Sequence, residues 1–489
     1  MAEKPNDYDV IIVGAGISGI NAAYRVQTQL PADTKYTILE ARDNMGGTWD
    51  LFKYPGIRSD SDLHTFGFPF RPWDEQKAIA DGASIVKYIK KTAATYGIDQ
   101  HIQYCHKLIS ANWSSESQNW SLDVDGNGEK KRLNTSFLLM ATGYYDYDEP
   151  LQTTIPGLEN FKGTIVHPQF WPEGLDYSNK RVAIIGSGAT AITLLPVLAE
   201  KAKHAVMLQR SPGYIISLPT VSPLDKITRA IWPTWIAHTL IRWRFLVQGY
   251  LFFHFCRTFP NAARKLIRLG TVKQLPKNVS HDPHFVPNYN PWEQRMCVCP
   301  DGDFYKSLQE GRSSIATGSI KTVTDRSIEL ENGERIDDLD VIVTATGLKI
   351  QIGGGAKLLI DGEEVKPGDK FIWKGLMLQD VPNAAFVIGY TNASWTLGAD
   401  ATAQLVTRLI NHMRSKGMTS AVPRIESQED LQPMPVLNLN STYVQKASGV
   451  LPKAGDKGPW VARKSYFTDI WNAKFGDIKT GLQFYRVST

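Results

Sequence analysis

The chain reads Y-D-V-I-I-V-G-A-G-I-S-G over residues 8–19. Its first half is a short apolar run, typical of a buried parallel strand, and a helical pattern follows from Ile20 to Gln29. Between the two stands G-x-G-x-x-G, the turn of a dinucleotide-binding βα unit. There Gly14 permits the sharp bend, Gly16 lets the backbone approach a pyrophosphate, and Gly19 lets the helix pack closely on the strand.

The next strand indicates which dinucleotide this first unit binds. We expect the helix N-terminus around Ser18 to face the phosphates. A second apolar strand, residues 36–39, ends in Glu40. A carboxylate at that place accepts hydrogen bonds from ribose hydroxyls and repels a 2′-phosphate, so the site should bind FAD or NAD and not NADP.

A second unit of the same kind begins at residue 181. A strand over residues 181–185 leads into Gly186-Ser187-Gly188-Ala189-Thr190-Ala191, a G-x-G-x-x-A variant, and then into a helix. The following strand ends in Arg210 and Ser211, with no carboxylate. A cation in this position suits a 2′-phosphate, which predicts an NADPH site, although Arg210 can also be read as a solvated strand-end charge.

Two further strands define the domain organisation. Each ends in A-T-G, the first over residues 137–143 and the second over residues 340–347. We predict an α/β protein of two Rossmann-like domains, with the NADPH domain inserted in the FAD domain. The predicted boundaries are 1–147 and 348–489 for the FAD domain and 148–347 for the NADPH domain, which includes a helical insert at about 213–290.

Composition excludes several classes. The net charge of +5 argues against nucleic acid as the main partner. The first nine residues are polar and lead directly into a strand, so we expect no secretory signal, and no apolar run is long enough to span a bilayer. Four cysteines in 489 residues fit a reduced protein. We expect a cytoplasmic protein and leave membrane association open.

The electron acceptor follows by elimination. NADPH can reduce FAD, but the chain has no C-x-x-C that could take the electrons. Cys297 and Cys299 form C-x-C with too few companions for a zinc site, so we predict no metal. Molecular oxygen is the remaining candidate.

Two longer motifs carry a family resemblance. One runs from Gly46-Gly47-Thr48-Trp49 through Tyr54-Pro55-Gly56 to Asp60; the other is F-x-G-x-x-x-H-x-x-x-W-P over residues 161–172. Together they resemble the Baeyer–Villiger monooxygenases, and in particular the subgroup of the ethionamide-activating monooxygenases. The resemblance implies that FAD and NADPH serve to insert one atom of O2 beside a ketone carbonyl, through a flavin peroxide, to give an ester or lactone.

The resemblance also implies roles for single residues. Gly47, Thr48 and Trp49 would lie close to the flavin, and Asp60 beside its ring. Asp60 would orient Arg295, which would stabilise the peroxide anion. Read without the resemblance, Asp60 is a turn or helix-cap residue and Arg295 a surface charge. The loop departs from the family pattern at Gln294, where Lys is usual.

His167 has two open interpretations. It could transmit domain rotation through hydrogen bonds, which we favour, or act as a general base, because histidine titrates near neutrality.

The C-terminal part is expected to return to the flavin. A strand over residues 386–390 should lead through Trp395, a candidate for the flavin site, into a helix from about Ala401 to Met413.

The insert is basic and aromatic, with nine Lys or Arg and no Asp or Glu over residues 226–273. Three interpretations remain: a helical cap that walls the substrate cavity, a peripheral membrane contact, and an oligomer interface.

The predicted function is an NADPH-dependent flavin monooxygenase acting on a small lipophilic ketone, with sulfoxidation as an open side activity. An N- or S-monooxygenase is the nearer alternative, and Trp171 and Pro172 count against it. A non-catalytic NADPH-sensing flavoprotein is the more distant one. The preferred ketone and the oligomeric state do not follow from the sequence.

Overall fold

The computed structural model describes residues 7–425, 431–437, 447 and 449–486. The first six residues of the polar N-terminal segment therefore lie outside the described residues. Two parallel-stranded sheets carry the two glycine turns, and a group of helices projects from the smaller one.

The described helices lie where the apolar spacing is helical. They are α1 Ile17–Gln29, α2 Thr48–Leu51, α3 Leu63–Phe66, α4 Gly82–Thr95, α5 Ala189–Ala199, α6 Pro223–Ile231, α7 Thr234–Thr258, α8 Pro260–Gln274, α9 Asp303–Gln309, α10 Trp395–Ser415 and α11 Tyr466–Phe475. Short 3₁₀ helices occupy Ile98–His101, Leu158–Asn160, Pro168–Phe170, Gly353–Gly355, Pro367–Asp369 and Gly458–Trp460.

The described strands alternate with these helices. They are β1 Tyr8–Val13, β2 Tyr36–Leu39, β3 Ile102–Gln103, β4 His106–Ser114, β5 Asn119–Gly126, β6 Glu129–Met140, β7 Thr164–Val166, β8 Arg181–Ile185, β9 His204–Gln209, β10 Ile215–Leu218, β11 Cys297–Pro300, β12 Ser313–Thr317, β13 Ile320–Val323, β14 Ile328–Leu330, β15 Arg335–Ile336, β16 Val341–Thr344, β17 Lys357–Ile360, β18 Glu363–Glu364, β19 Ile372–Trp373, β20 Met377–Leu378, β21 Ala384–Phe386, β22 Ser420–Pro423, β23 Pro433–Pro435, β24 Lys453–Gly455 and β25 Leu482–Tyr485.

The larger sheet has the order β18-β17-β4-β5-β6-β1-β2-β3, with β21 also paired to β6. Strand β1 lies between β2 and β6, parallel to both. Residues 10–13 of β1 are buried, which explains why this strand is a continuous apolar run without alternation. Helices α1 and α10 pack against each other over this sheet.

The smaller sheet, β12-β9-β8-β16-β7, is parallel throughout. All five strands come from residues 164–344, whereas β17 and β21 return to the larger sheet. One nucleotide-binding sheet is thus inserted in the sequence of the other. The predicted crossings near residues 147 and 347 fall between β6 and β7 and between β16 and β17; the exact boundaries stay predictions.

Two expected elements differ from the structure. Helix α10 begins at Trp395, about six residues before the predicted start, and β21 ends at Phe386, where the predicted strand was to begin. The Trp395 ring lies directly over Gly389, where a Cβ would approach it to 2.4 Å, so the turn before the helix is shorter than expected. The predicted insert also starts with a strand, β10, and its helices α6, α7 and α8 cover 223–274.

No helix within the described ranges combines the length and the apolar character that crossing a bilayer requires.

Gly19 is the position in the first glycine turn where an added side chain would meet the closest contact. A Cβ there would lie 1.8 Å from the carbonyl oxygen of Gly14. We expect Gly19→Ala to destabilise the protein by about 1–3 kcal/mol and to lower its flavin content, because helix α1 must move away from β1. Thermal unfolding followed by flavin fluorescence measures both effects.

Gly249→Ala is the matched control. Gly249 lies in α7, and a Cβ there would meet nothing within 4 Å. This variant should keep its flavin and gain up to about 1 kcal/mol in stability. Equal melting temperatures and flavin contents for the two variants would contradict the close helix–strand packing.

Candidate active site

A single cavity of about 1350 Å³ contains both glycine turns. It lies at the carboxyl ends of the parallel strands of both sheets, the position where such sheets bind ligands. Most of the predicted site residues line it: Gly14, Gly16, Ser18, Glu40, Gly47, Thr48, Trp49, Asp60, Gly186, Ser187, Gly188, Ala189, Thr190, Arg210, Ser211, Arg295 and Trp395. Gly19 and His167 are not among the lining residues.

The two turns are built alike. Gly14 and Gly186 have φ values of +103° and +146°, which favour glycine. A Cβ on Gly14 would lie 2.7 Å from the carbonyl oxygen of Ala141, and one on Gly186 would lie 2.2 Å from that of Ala345. Each glycine thus abuts the A-T-G turn of a neighbouring strand. A side chain at either position would therefore push the turn away from the neighbouring strand.

Glu40 is buried at the end of β2. Its Oε2 accepts a hydrogen bond from the N–H of Ala15 at 2.8 Å, and its Oε1 accepts one from the N–H of Arg42 at 3.0 Å. These bonds hold the carboxylate at the cavity wall, where its remaining lone pairs can accept hydrogen bonds from ribose hydroxyls.

Arg210 occupies the equivalent place in the second unit but differs in environment. It follows β9, lines the same cavity and is exposed to solvent, together with Ser211. The two sites thus present opposite charges to a nucleotide, and the cationic one is open to exchange with bulk solvent.

Asp60 and Arg295 meet across the cavity wall although they are 235 residues apart. The guanidinium donates from Nη2 to Oδ1 and from Nε to Oδ2, both at 2.8 Å. This bidentate geometry fixes the plane of the guanidinium. The Arg295 side chain is 34% exposed, so the group reaches both its carboxylate partner and the open cavity.

The loop that carries Asp60 makes two further contacts with the smaller domain. Arg58 forms an ion pair with Asp303 at the start of α9, and Tyr54 hydrogen-bonds to Thr190 in the second glycine turn. Burial raises the pKa of Tyr54 to about 12. Sequence reasoning missed these contacts, because each partner lies more than a hundred residues away and no local pattern marks it.

The aromatic residues at the flavin side of the cavity are also fixed. The indole N–H of Trp395 donates to Ser18 Oγ at 2.8 Å, and its ring stacks on Tyr144 with centroids 4.9 Å apart. The hydroxyls of Thr48 and Tyr147 lie 2.9 Å apart. Tyr144 and Tyr147 follow the first A-T-G turn, a location that could have identified them from the sequence.

His167 lies away from the cavity lining, in the segment that joins the domains. Its Nδ1 accepts a hydrogen bond from the N–H of Gln169 at 3.3 Å, and Gln169 donates from Nε2 to the carbonyl of Asp146 at 2.7 Å. Asp146 in turn pairs with Lys349 at 2.9 Å. Burial lowers the pKa of His167 below its ordinary value, against an opposing contact with Gly347. The segment that contains His167 thus lies beside both chain crossings, and its role, coupling or general base, stays a prediction.

Comparisons with known proteins agree with this geometry. The profile of the flavin-binding monooxygenase-like family matches residues 7–353. The chain belongs to this family. A relative from Mycolicibacterium smegmatis, the FAD-containing monooxygenase EthA, is 44% identical over 472 residues, which are 96% of this chain and 95% of the relative.

Two solved structures share the fold of this flavin monooxygenase. A steroid monooxygenase bound to NADP matches with a TM-score of 0.74 at 20% identity, over 98% of this chain and 99% of the other. An open form of cyclohexanone monooxygenase matches with a TM-score of 0.73 at 18% identity, over 98% and 99%. The family, the fold class and the flavin cofactor expected from the sequence are thereby confirmed.

The residues present fit a flavin dinucleotide in the first unit of this flavin monooxygenase. Gly14, Gly16 and the N-terminus of α1 provide a backbone cradle for the pyrophosphate, and Glu40 provides a ribose acceptor. Trp49, Trp395 and Arg295 line the same cavity.

Three of the four cysteines of the flavin monooxygenase are buried, and one of them, Cys297, also lines the large cavity. Cys297 and Cys299 are free, lie two residues apart on β11 and are both buried. Burial raises the pKa of each thiol to about 12. Within the described ranges, no group of three or more His, Cys, Asp or Glu could hold a metal ion.

Thiol modification tests this burial. The thiolate is the reactive form, so a raised pKa keeps Cys297 and Cys299 protonated and slow at pH 8. We expect native protein to react quickly with Ellman's reagent at Cys105 alone, which is only half-buried, and at all four cysteines after unfolding. Rapid modification of Cys297 and Cys299 in the native protein would contradict their burial.

Proposed function

We propose that this flavin monooxygenase uses NADPH and O2 to insert one oxygen atom beside the carbonyl of small lipophilic ketones, giving esters or lactones. The observation that carries the proposal is the bidentate contact of Arg295 with Asp60, at the wall of a cavity that both glycine turns share. A guanidinium held at this wall supports the proposal, because both dinucleotides would share the cavity that it lines.

NADPH is the proposed reductant because of Arg210 and Ser211. Both line the cavity at the end of β9, where a 2′-phosphate would lie in a Rossmann unit. The steroid monooxygenase with this fold is bound to NADP, which supports the proposal. Gln294 lines the cavity next to Arg295 and cannot supply a second cation, so Arg210 is the principal phosphate contact.

A bound flavin would supply the redox chemistry, that is, acceptance of a hydride from NADPH and reaction with O2. Arg295 would stabilise negative charge on the reacting oxygen, because a preorganised guanidinium in a partly enclosed site needs no reorganisation during the reaction. Asp60 holds the guanidinium plane, and the Arg58–Asp303 pair holds the loop that carries Asp60. A guanidinium keeps its charge over the working pH range, which suits it to this role.

The substrate is proposed to be lipophilic because apolar side chains adjoin Arg295. A small recess beside it is lined by Ile352, Phe386, Leu437 and Leu451. This recess of about 20 Å³ has room for little more than one water molecule, so in our proposal the ketone occupies the cavity of about 1350 Å³ and turns its carbonyl to Arg295. Cyclohexanone monooxygenase has the same fold, which supports a ketone as substrate. We include oxidation of thioether sulfur as a second activity of the same site.

Arg210→Gln tests the proposed NADPH contact. Loss of a charge-assisted phosphate contact should lower kcat/KM for NADPH by about 10–100-fold. The value for NADH should stay nearly constant, because NADH has no 2′-phosphate. Anaerobic flavin reduction in a stopped-flow instrument measures both. An equal loss with both nucleotides would contradict the assignment of Arg210.

Arg295→Ala tests the oxygenating role. Flavin reduction by NADPH should be largely retained, whereas ester formation should fall by about 100-fold or more, since the fixed charge is lost. Hydrogen peroxide, released without oxygenation of the ketone, should form instead of the ester. Arg312→Ala is the matched control, because Arg312 is an exposed arginine paired with Glu310 and does not line the cavity. Normal ester yield in Arg295→Ala would remove Arg295 from the mechanism.

The products distinguish the proposed reaction from its alternatives. Purified holoenzyme receives NADPH, air and a panel of linear, cyclic and aryl ketones and thioethers, and the products are identified by mass. Esters or lactones support the proposal. Sulfoxides or N-oxides alone would move the enzyme to the neighbouring class of monooxygenases.

A further inference from the structure

The helices α6, α7 and α8 present apolar side chains to solvent. On α8, Ala263, Ile267 and Thr271 form one buried stripe. Leu266, Leu269 and Val272 are exposed and point to the opposite side, since helical positions three and four apart share a face. Leu269 is 63% exposed. This outward stripe therefore contributes nothing to the core.

The same arrangement recurs on the two preceding helices. On α7, Leu240, Trp243 and Val247 follow one another at helical spacing and are all exposed; Trp243 is 52% exposed although one face of its ring stacks on Phe467 of α11. On α6, Leu224, Ile227 and Ile231 do the same, and Ile231 is 67% exposed. Singly exposed apolar residues are ordinary, but three neighbouring helices with such stripes indicate a contact surface. We call the outward side chains of α6, α7 and α8 the outer helical face.

Positive charge accompanies this apolar surface. Of the nine Lys and Arg in residues 226–273, six are exposed: Lys226, Arg257, Arg264, Lys265, Arg268 and Lys273. Arg264 hydrogen-bonds to Tyr214, and both Arg257 and Arg264 interact with the Glu293 carboxylate, which leaves the other four for the outer helical face. The same segment contains no Asp or Glu. The outer helical face is therefore both apolar and cationic.

The remaining three cations anchor the helices from the inner side. Arg242 donates to the carbonyls of His64 and Gly67 at 2.7 and 2.9 Å, and Arg244 pairs with buried Asp225 at 2.7 Å. Arg229 donates to backbone carbonyls of residues 74 and 75. Within the described residues, α6, α7 and α8 contribute no side chain to the wall of the large cavity. The predicted insert reaches that wall through Gly213, Asn288 and Tyr289, so its role as a cap stays a prediction, whereas the outer face of its helices is turned to solvent.

We propose that the outer helical face docks on the surface of an anionic phospholipid bilayer. Leucine, isoleucine and tryptophan on an outward helix face enter the headgroup and acyl boundary, while Lys and Arg contact lipid phosphates. A second copy of the chain is a poorer occupant, because a two-fold contact would place the cationic face against itself. The helices lie on the bilayer surface and do not cross it.

This inference is independent of the proposed reaction. It does, however, relate the outer helical face to the site. Helix α7 is hydrogen-bonded through Arg242 to α3 and the residue after it, and α3 follows the loop that carries Asp60. A bilayer on the outer face would lie one helix away from the loop that orients Arg295.

Vesicle binding of the holoenzyme tests the proposal. Cosedimentation is measured with phosphatidylcholine vesicles, with and without phosphatidylglycerol, at low and high salt. The partition coefficient should be at least about tenfold higher with phosphatidylglycerol and should fall with salt, because several cations contact the headgroups.

Two variant pairs separate the apolar and cationic contributions. Leu266→Gln/Leu269→Gln and Lys265→Gln/Lys273→Gln should each weaken binding by about tenfold. Exposed positions on the larger domain serve as matched controls: Ile109→Gln for the apolar pair and Lys90→Gln/Lys91→Gln on α4 for the cationic pair. All variants change exposed side chains, so flavin content and melting temperature should match those of the parent.

Two outcomes would overturn the proposal. One is vesicle binding that does not depend on phosphatidylglycerol or is equally strong in the variants and their controls. The other is an absence of vesicle binding together with a concentration-dependent oligomer that Leu266→Gln/Leu269→Gln converts to monomer. That result would assign the outer helical face to a second copy of the chain.

Discussion

The ion pair between Asp60 and Arg295 joins the two nucleotide-binding halves at the place where their glycine turns face each other. Both side chains are about one-third exposed, and a pair in that environment contributes at most about 1 kcal/mol to stability. The main effect of this ion pair is therefore to fix the position of the Arg295 guanidinium. Tyr54 and Arg58, on the same loop, contact Thr190 and Asp303 on the other domain, so that three contacts define one geometry. These contacts act together with those of Arg242 and Arg229, which join the insert to the larger domain.

The two nucleotide sites differ in how firmly they hold their charged group. Glu40 is buried and accepts hydrogen bonds from two backbone N–H groups, whereas Arg210 is exposed at the end of its strand. A buried acceptor suits a cofactor that stays bound, because it is desolvated before the ligand arrives. An exposed cation suits a nucleotide that binds and leaves in each cycle. This asymmetry accords with a resident flavin and an exchanging NADPH.

Local patterns predicted the parts of the fold that depend on local physics. Strands β1, β2 and β8 and the two glycine turns follow from apolar runs and from backbone requirements at Gly14 and Gly186, and the structure has them where expected. The start of α10 was missed, because it depends on Trp395 packing over Gly389 and bonding to Ser18. The Arg58–Asp303 pair was missed because its partners are 245 residues apart. The cap role of the insert stays a prediction, since helical spacing indicates a face but not what covers it.

The inserted sheet has a consequence for the order in which the protein is made. Every strand of the smaller sheet has been synthesised by residue 344, whereas β1 and β6 still lack β21, and α1 still lacks α10, until residue 415. Domains fold as units once their segments are available. On the ribosome the internal domain can therefore fold first. The surrounding domain is then still incomplete, and one face of α1 is exposed. A nascent chain stalled between these two points would present a finished nicotinamide domain tethered to an incomplete flavin domain.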